Sequence, residues 1–258
     1  MDMSRDKDYF EIYLNSFPNS PSLVIVRAME AKNFPKEYLK EPILDLCCGD
    51  GFFAKTLGLS NIYGCDIDMI SLEKATKQSV YKEVKLCDAR TLDKYPAEFF
   101  NTVFANCALE HIDGIEQVIA SINRVLKNGG SLIMTVPSEN LNRWFPFRKS
   151  KLVKYNQRQR HINIMSENAW RELLLKHSFV LEQVYYLFNE KQYKTAILFD
   201  ALPEILPKPI FRLYHLVLKL TPEPVKKFIF RKLLKPIYQN SKPLNSGGEL
   251  VIVAKKKT

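Results

Sequence analysis

The stretch "ILDLCCGDGFFA", residues 43–54, decides how the rest of the chain is read. Three aliphatic residues and one carboxylate form a strand-like run, two cysteines and a Gly-Asp-Gly turn follow, and a Phe-Phe-Ala step opens a helical pattern. A metal site, a redox pair and a ligand-holding loop are the three readings to separate. Cys47 and Cys48 are adjacent, which is neither the CxxC spacing of a zinc knuckle nor that of a thioredoxin-like pair. With Cys65, Cys87 and Cys107 they make an odd set of five, each in or beside an apolar run. Small buried thiols are common in reducing compartments, where disulfides are rare. The cysteines therefore read as packing residues and no metal-ligand set is assigned. The ligand loop remains, with Gly49 and Gly51 free of side chains where backbone must approach a ligand or take a positive φ.

Working outward from that loop, short apolar runs rich in Val, Ile and Phe occupy 42–47, 61–66, 82–87, 99–106 and 130–136. Helical patterns lie near 52–58, 69–79 and 113–126. In the last of these Ile115, Val118, Ile119, Ile122, Val125 and Leu126 fall on one stripe, and Asn128-Gly129-Gly130 is expected to stop the helix. Such alternation argues an α/β fold, a parallel sheet with helices on both faces. A serine-capped helix at 166–177 and strands at 179–188 and 248–257 follow. The connection between those strands is far longer than the usual 2–6 residues. It is proline-punctuated and carries helical patterns, so residues 189–245 read as a structured insertion, with 1–188 plus 246–258 forming the main domain.

The bulk properties agree with one large domain bearing an insertion: 258 residues, 46% hydrophobic and 12% aromatic. No apolar run approaches the ~18–20 residues that span a bilayer. The opening "MDMSRDKDYFEIY" lacks the apolar stretch of a signal peptide. The expected location is cytoplasmic, with peripheral attachment at the inner face of a membrane as a variant.

A doubly wound sheet binds ligands at the carboxyl ends of its strands. Asp66 ends the second strand about 20 residues after the glycines, where a carboxylate accepts hydrogen bonds from ribose hydroxyls. Asp88 ends the third strand in "KLCDAR" and Asn106 the fourth, before "CALEHID". Gly49, Gly51 and Ala54 also satisfy the G-x-G-x-x-G/A spacing of a dinucleotide loop, so the loop alone leaves nicotinamide binding open.

The later fragments decide. "LEHI" and "RVLKNGGSLIMTVP", with the first loop, resemble class I S-adenosylmethionine-dependent methyltransferases of the broad group whose first motif is of the "LDLGCGTG" type. The resemblance covers about residues 40–137. It implies a Rossmann-like seven-stranded sheet of order 3-2-1-4-5-7-6 with strand 7 antiparallel, and S-adenosyl-L-methionine as cofactor. It also implies that Asp45, Gly49 and Gly51 surround the methionine part, that Asp66 holds the ribose with Ile67 against the adenine, that Asp88 and Ala89 lie at the adenine edge, and that Asn106 lines the sulfonium side. Three departures stand out. Cys47, itself among the residues expected to bind the cofactor, occupies the place of the usual first glycine, Asp50 that of a common threonine or serine, and Asn101 that of a frequent aspartate.

Methyl transfer needs a general base only where the acceptor must lose a proton. His111, just after the fourth strand, and His161, in "RQRHINIMS", are the candidate catalytic residues; their structural alternatives are packing or capping at the turn and a hydrogen bond at the next helix. His177 reads as a helix cap. Glu110 reads as a cofactor-side or structural carboxylate. The fourth strand is followed by "NCAL" rather than the "NPPY" or "DPPY" of DNA amino-methyltransferases, which disfavours a nucleobase-amine target, and nucleic acid is not the expected partner.

The net charge of +10 is uneven. Residues 141–160 carry seven Lys/Arg and no acid; residues 189–245 carry 11 Lys/Arg and 4 Asp/Glu, or +7; the remainder is 10 − 14 = −4. Within the insertion, "PEPVKKFIFRKLLKPIYQ" sets Val225, Phe228, Ile229, Leu233 and Ile237 on one face and Lys226, Lys227, Arg231 and Lys235 largely opposite. Such a helix either lies on an anionic membrane or buries its apolar face against the core or a homodimer partner, with its lysines solvated. The leading expectation is methyl transfer to a small-molecule or lipid- or glycan-linked acceptor, anionic in one variant. The alternatives are a methyltransferase-like binding module without turnover and an RNA methyltransferase.

Overall fold

The computed structural model describes residues 7–258, so the first six residues of the charged N-terminal stretch lie outside the described residues. The strands are β1 (Ile43–Leu46), β2 (Ile62–Asp66), β3 (Tyr81–Leu86), β4 (Phe100–Asn106), β5 (Leu126–Pro137), β6 (Phe179–Leu187) and β7 (Glu249–Lys256). The helices are α1 (Tyr9–Ser16), α2 (Pro21–Lys32), α3 (Phe52–Leu57), α4 (Met69–Thr76), α5 (Ile115–Val125), α6 (Asn140–Trp144), α7 (Lys149–Gln159), α8 (Glu167–Lys176), α9 (Glu190–Asp200), α10 (Leu202–Ile205), α11 (Lys208–Leu220) and α12 (Glu223–Gln239). Two compact units share them. One comprises Pro35–Leu141, Arg160–Tyr186 and Glu249–Thr258; the other comprises the chain up to Phe34, Asn142–Gln159 and Leu187–Gly248.

The first unit holds a seven-stranded sheet of order β3-β2-β1-β4-β5-β7-β6. The four pairings from β3 to β5 are parallel, whereas β7 runs antiparallel to β5, from Ser131 opposite Lys255 to Pro137 opposite Glu249. The fold and the strand order therefore stand as expected. β1, covered on both faces, is buried at all four positions, which is why it reads as an apolar run interrupted only by Asp45. On α5 the predicted stripe is the buried one: Val118, Ile119, Ile122 and Val125 are inaccessible, and Ile115 packs against the same core cluster. Asp68 and Ser166 cap α4 and α8 by accepting backbone N–H groups of the first turn. His177 closes α8, its N–H donating to carbonyls of the last turn.

The glycine stop is a different device from the one expected. α5 ends at Val125, and Leu126 already pairs with Phe100 as the start of β5. The β4–β5 register shifts between Phe100 and Thr102. Gly129 has φ +73° and a Cβ on Gly130 would meet the Lys127 carbonyl oxygen at 2.8 Å, so the pair carries a strand bulge and not a helix cap. Beneath the bulge Phe100 sits among Tyr63, Tyr95 and Phe99 at centroid separations of 5.5, 5.2 and 4.9 Å.

The second unit is helical. α1 packs on α2 and α12, and α2 on α9. Phe10 meets Tyr238 at 5.7 Å, and Phe199 meets Phe230 at 6.3 Å. α7 joins α9 and α10 through polar contacts: the Tyr155 hydroxyl donates to Asp200 at 2.7 Å and Arg158 Nε to Glu204 at 2.6 Å. α12 corrects a sequence expectation. Its inward face carries Phe230, Leu234 and Tyr238 together with a buried Lys226 that donates to Asn19 at 2.6 Å. Arg231 and Lys235 turn to Glu11 at 2.7 and 2.9 Å, and these cations hold the Glu11 carboxyl well below the usual range, at about 2. It is the basic side that is packed, while Val225, Phe228, Ile229 and Leu233 face solvent. Periodicity identifies two faces; it does not say which one a neighbour covers.

Among the described residues no helix is long and apolar enough to cross a membrane. Phe100→Ala leaves a cavity under the bulge and is expected to lower unfolding free energy by about 3–5 kcal/mol, read from the guanidinium midpoint.

Candidate cofactor site

The Gly-Asp-Gly loop leaves β1 at the carboxyl edge of the sheet in a run of left-handed residues: Cys47 at φ +57°, Gly49 at +54° and Gly51 at +75°. Cys47 thus adopts the backbone conformation that a glycine would supply there, and the loop closes without one. The two glycines are required for different reasons. A Cβ on Gly49 would meet nothing within 4 Å, so its φ and the open space above it are what matter. A Cβ on Gly51 would strike the Tyr81 ring at 2.7 Å.

Tyr81 is the residue on which the loop rests. Its ring lies over Gly64, in the middle of β2, where a Cβ would again collide at 2.8 Å, and its hydroxyl donates to Asp45 Oδ2 at 2.7 Å. Asp45 is buried, and burial, reinforced by the charge of Asp66, pushes its carboxyl up to about 8 against the pull of the Tyr81 hydrogen bond. Asp66, at the end of β2, ties the loop to the sheet. One oxygen accepts the Gly49 N–H and the other the Asp68 N–H, both at 2.9 Å. Each carboxylate oxygen accepts twice, so capacity remains for hydroxyl donors. Ile67, next in sequence, is 70% exposed. Asp88 accepts a forked contact from Arg90, the closest at 2.6 Å, which holds its carboxyl below the ordinary value. Ala89 is buried, its carbonyl accepting the Ser121 hydroxyl, and Asn106 accepts the Thr135 hydroxyl at 2.9 Å.

Four acids converge on this loop. Burial, and then the charges of Asp66, Asp45, Glu110 and Asp88, raise the Cys47 thiol far above its ordinary range. The thiol is therefore held in its protonated, weakly nucleophilic form.

The turn after β4 brings the two candidate histidines together. His111 and His161 stack at 5.4 Å with ring planes 18° apart. The contact follows from backbone hooks: the Glu110 carbonyl accepts the N–H groups of Ile162 and Asn163 at 2.7 and 3.1 Å. The Asn163 side chain donates to the carbonyls of Leu109 and Ile112 at 2.8 and 2.7 Å. His111 Nδ1 lies 3.4 Å from the Arg160 carbonyl oxygen, and its Nε2 lies 3.6 Å from Glu110 Oε1.

Sequence reasoning misses Tyr81 and Asn163. Gly64 inside a strand is the available signal for the first, since an interior glycine marks close approach of another group. Nothing local announces Asn163, whose partners lie more than fifty positions away.

An acid-lined glycine loop, a carboxylate ending β2 and an open apolar shelf beside it make a pocket edge suited to a cationic nucleoside. Residues 44–134 match the methyltransferase-domain family. Over that stretch the chain resembles the class I methyltransferases, which take S-adenosyl-L-methionine as cofactor. The chain is 33% identical over 108 residues to a malonyl-[acyl-carrier protein] O-methyltransferase of Legionella pneumophila, 38% of each protein. It is 29% identical over 155 residues to a demethylmenaquinone methyltransferase of Lactobacillus johnsonii, 53% of this chain and 64% of that one. The matches thus span less than two thirds of these relatives' lengths. A Thermotoga maritima S-adenosylmethionine-dependent methyltransferase shares the fold with a TM-score of 0.58 at 18% identity, covering 96% of this chain and 98% of that one.

The cofactor fits this methyltransferase edge on structural grounds. The space above Gly49 is open, Asp66 is anchored yet able to accept more, and the acids match the net positive charge of a sulfonium amino acid.

Asp45 gives a pH signature. The folded state holds a proton on it up to about pH 8, whereas the unfolded chain loses that proton near the ordinary aspartate value of 3.8. This group therefore makes stability fall with rising pH between those values, by about 1.4 kcal/mol per pH unit, and has no further effect above them. Asp45→Asn is expected to remove that slope. Denaturation at pH 5, 7 and 9 checks it, the variant gaining on the wild type from pH 5 to 7 and levelling above 8.

Proposed function

We propose that this protein transfers the methyl group of S-adenosyl-L-methionine to a small-molecule acceptor, free or lipid-linked, that gives up a proton as it is methylated. The convergence of Asp66, Asp88 and Glu110 on the Cys47 loop, beside a neutral Asp45, carries the first half of this reading. An acidic edge favours a sulfonium over an uncharged or anionic nucleotide. The histidine pair supports the second half, because a carboxylate or thiolate acceptor would need no base, whereas a hydroxyl or an acidic carbon does. One relative is named a demethylmenaquinone methyltransferase.

The bound cofactor supplies an electrophilic methyl group already activated by its sulfonium. The chain's residues then bind and orient. Asp66 would hold the ribose hydroxyls, Ile67 would cover one adenine face, and Asp88 with Ala89 would border the adenine edge. Gly49 and Gly51 would admit the methionine portion beside Asp45, and Asn106 would line the sulfonium side. Both ring nitrogens of His111 face acceptors, which makes it the positioning residue. His161, stacked on it, takes the acceptor's proton. Orientation of this kind accounts for up to ~7–11 kcal/mol of a barrier, so few groups need to react.

Calorimetric titration with S-adenosylmethionine and its demethylated product tests the first half. Micromolar binding is expected, weakened at least about tenfold in Asp66→Ala, which loses hydrogen bonds to a charged group. A folded wild type that binds neither ligand would overturn it. For the second half, His161→Ala is expected to slow turnover on a quinol acceptor by about 100-fold with cofactor affinity unchanged. Equal turnover would refute the base assignment.

A further inference from the structure

α11 is regular, thirteen residues long and built around an apolar arc, yet none of its residues is buried. Ile210, Leu213, Leu216, Val217 and Leu220 follow helical spacing along one side and are 50–72% exposed. The opposite stripe carries Lys208, Arg212 and Lys219, and the helix contains no acid. α12 adds Val225, Phe228, Ile229 and Leu233, exposed on the side away from its buried Phe230, Leu234 and Tyr238. Lys232 lies 5.1 Å from the Phe228 ring. The remaining α12 cations are engaged: Lys226 with Asn19, Lys227 with Glu223, and Arg231 and Lys235 with Glu11. Lys208, Arg212 and Lys219 have no ion pair among the described residues.

Nine large apolar side chains on two consecutive helices exceed the scattered exposure normal for a protein surface. The charge distribution says what covers them. A second copy meeting this face across a two-fold axis would bring two copies of the acid-free, cationic α11 together, with Glu223 of α12 already paired to Lys227. An acidic bilayer surface takes the apolar arc into its acyl boundary and the cations at its phosphates, the lysine stems reaching up to the headgroups. We infer that the α11–α12 face docks on an anionic phospholipid membrane surface. The inference goes beyond the methyl-transfer reading and does not rest on it.

Flotation of the full-length protein with vesicles of phosphatidylcholine and phosphatidylglycerol, against phosphatidylcholine alone, is the test. Partition onto the mixed vesicles is expected, falling as salt rises. Each cation near such a surface contributes about fivefold, so Lys208→Glu/Arg212→Glu/Lys219→Glu should lose about 100-fold or more. Leu213→Ser/Leu216→Ser/Val217→Ser should abolish binding with the melting temperature unchanged, because these side chains support no core. Three results would overturn the inference: no wild-type binding to mixed vesicles, undiminished binding by the charge-reversal variant, or a dimer in sedimentation that the serine variant dissociates. No S-adenosylmethionine is present in the flotation, so failure here and failure of the cofactor titration are separate outcomes.

Discussion

The cofactor edge depends on one aromatic ring placed where two glycines leave room for it. Tyr81 enters at the start of β3, crosses Gly64 and ends beneath Gly51, its hydroxyl on Asp45. The loop above it is a chain of left-handed residues, a conformation that local preference does not favour at Cys47. What holds it is support from below by the ring and from the side by Asp66, which accepts the Gly49 N–H. A loop so braced keeps its shape before any ligand arrives, and less of the binding energy is spent on ordering it.

The same arrangement accounts for how acids gather at one edge without mutual repulsion opening the fold. Asp45 is kept neutral by burial at ordinary pH, and Asp88 is paired with Arg90. The acids thereby differ in state as well as position, and the field at the loop is graded.

Much of this is legible in the chain itself. The central strands can be read because a short Val-, Ile- and Phe-rich run bounded by polar or glycine residues suits a buried parallel strand, and Asp45, Asp66 and Asp88 stand out because they sit in or at the ends of those runs. The start of β5 is not legible, since Asn128-Gly129-Gly130 suits a helix end as well as a bulge, and only pairing of Leu126 with Phe100 separates the two. The stacking of His111 on His161 is equally beyond a sequence, because it is made by hooks from Glu110 and Asn163 across a long loop. On α12 periodicity draws the two faces correctly, but their assignment to interior and surface depends on Glu11 and Asn19, residues far away along the chain.

The placement of β7 between β5 and β6 sets an order on assembly. β5 gains its second neighbour only from the far end of the sequence, after the whole of α9 to α12 has been made. Until then the backbone of β5, whose Leu132, Met134 and Val136 side chains belong to the core cluster, has an open hydrogen-bonding edge of the kind that invites intermolecular pairing. Non-local pairings of this sort form late and slowly. A growing chain is thus most exposed to aggregation during the interval in which α9 to α12 are being synthesised, and that hazard ends when β7 slots into place.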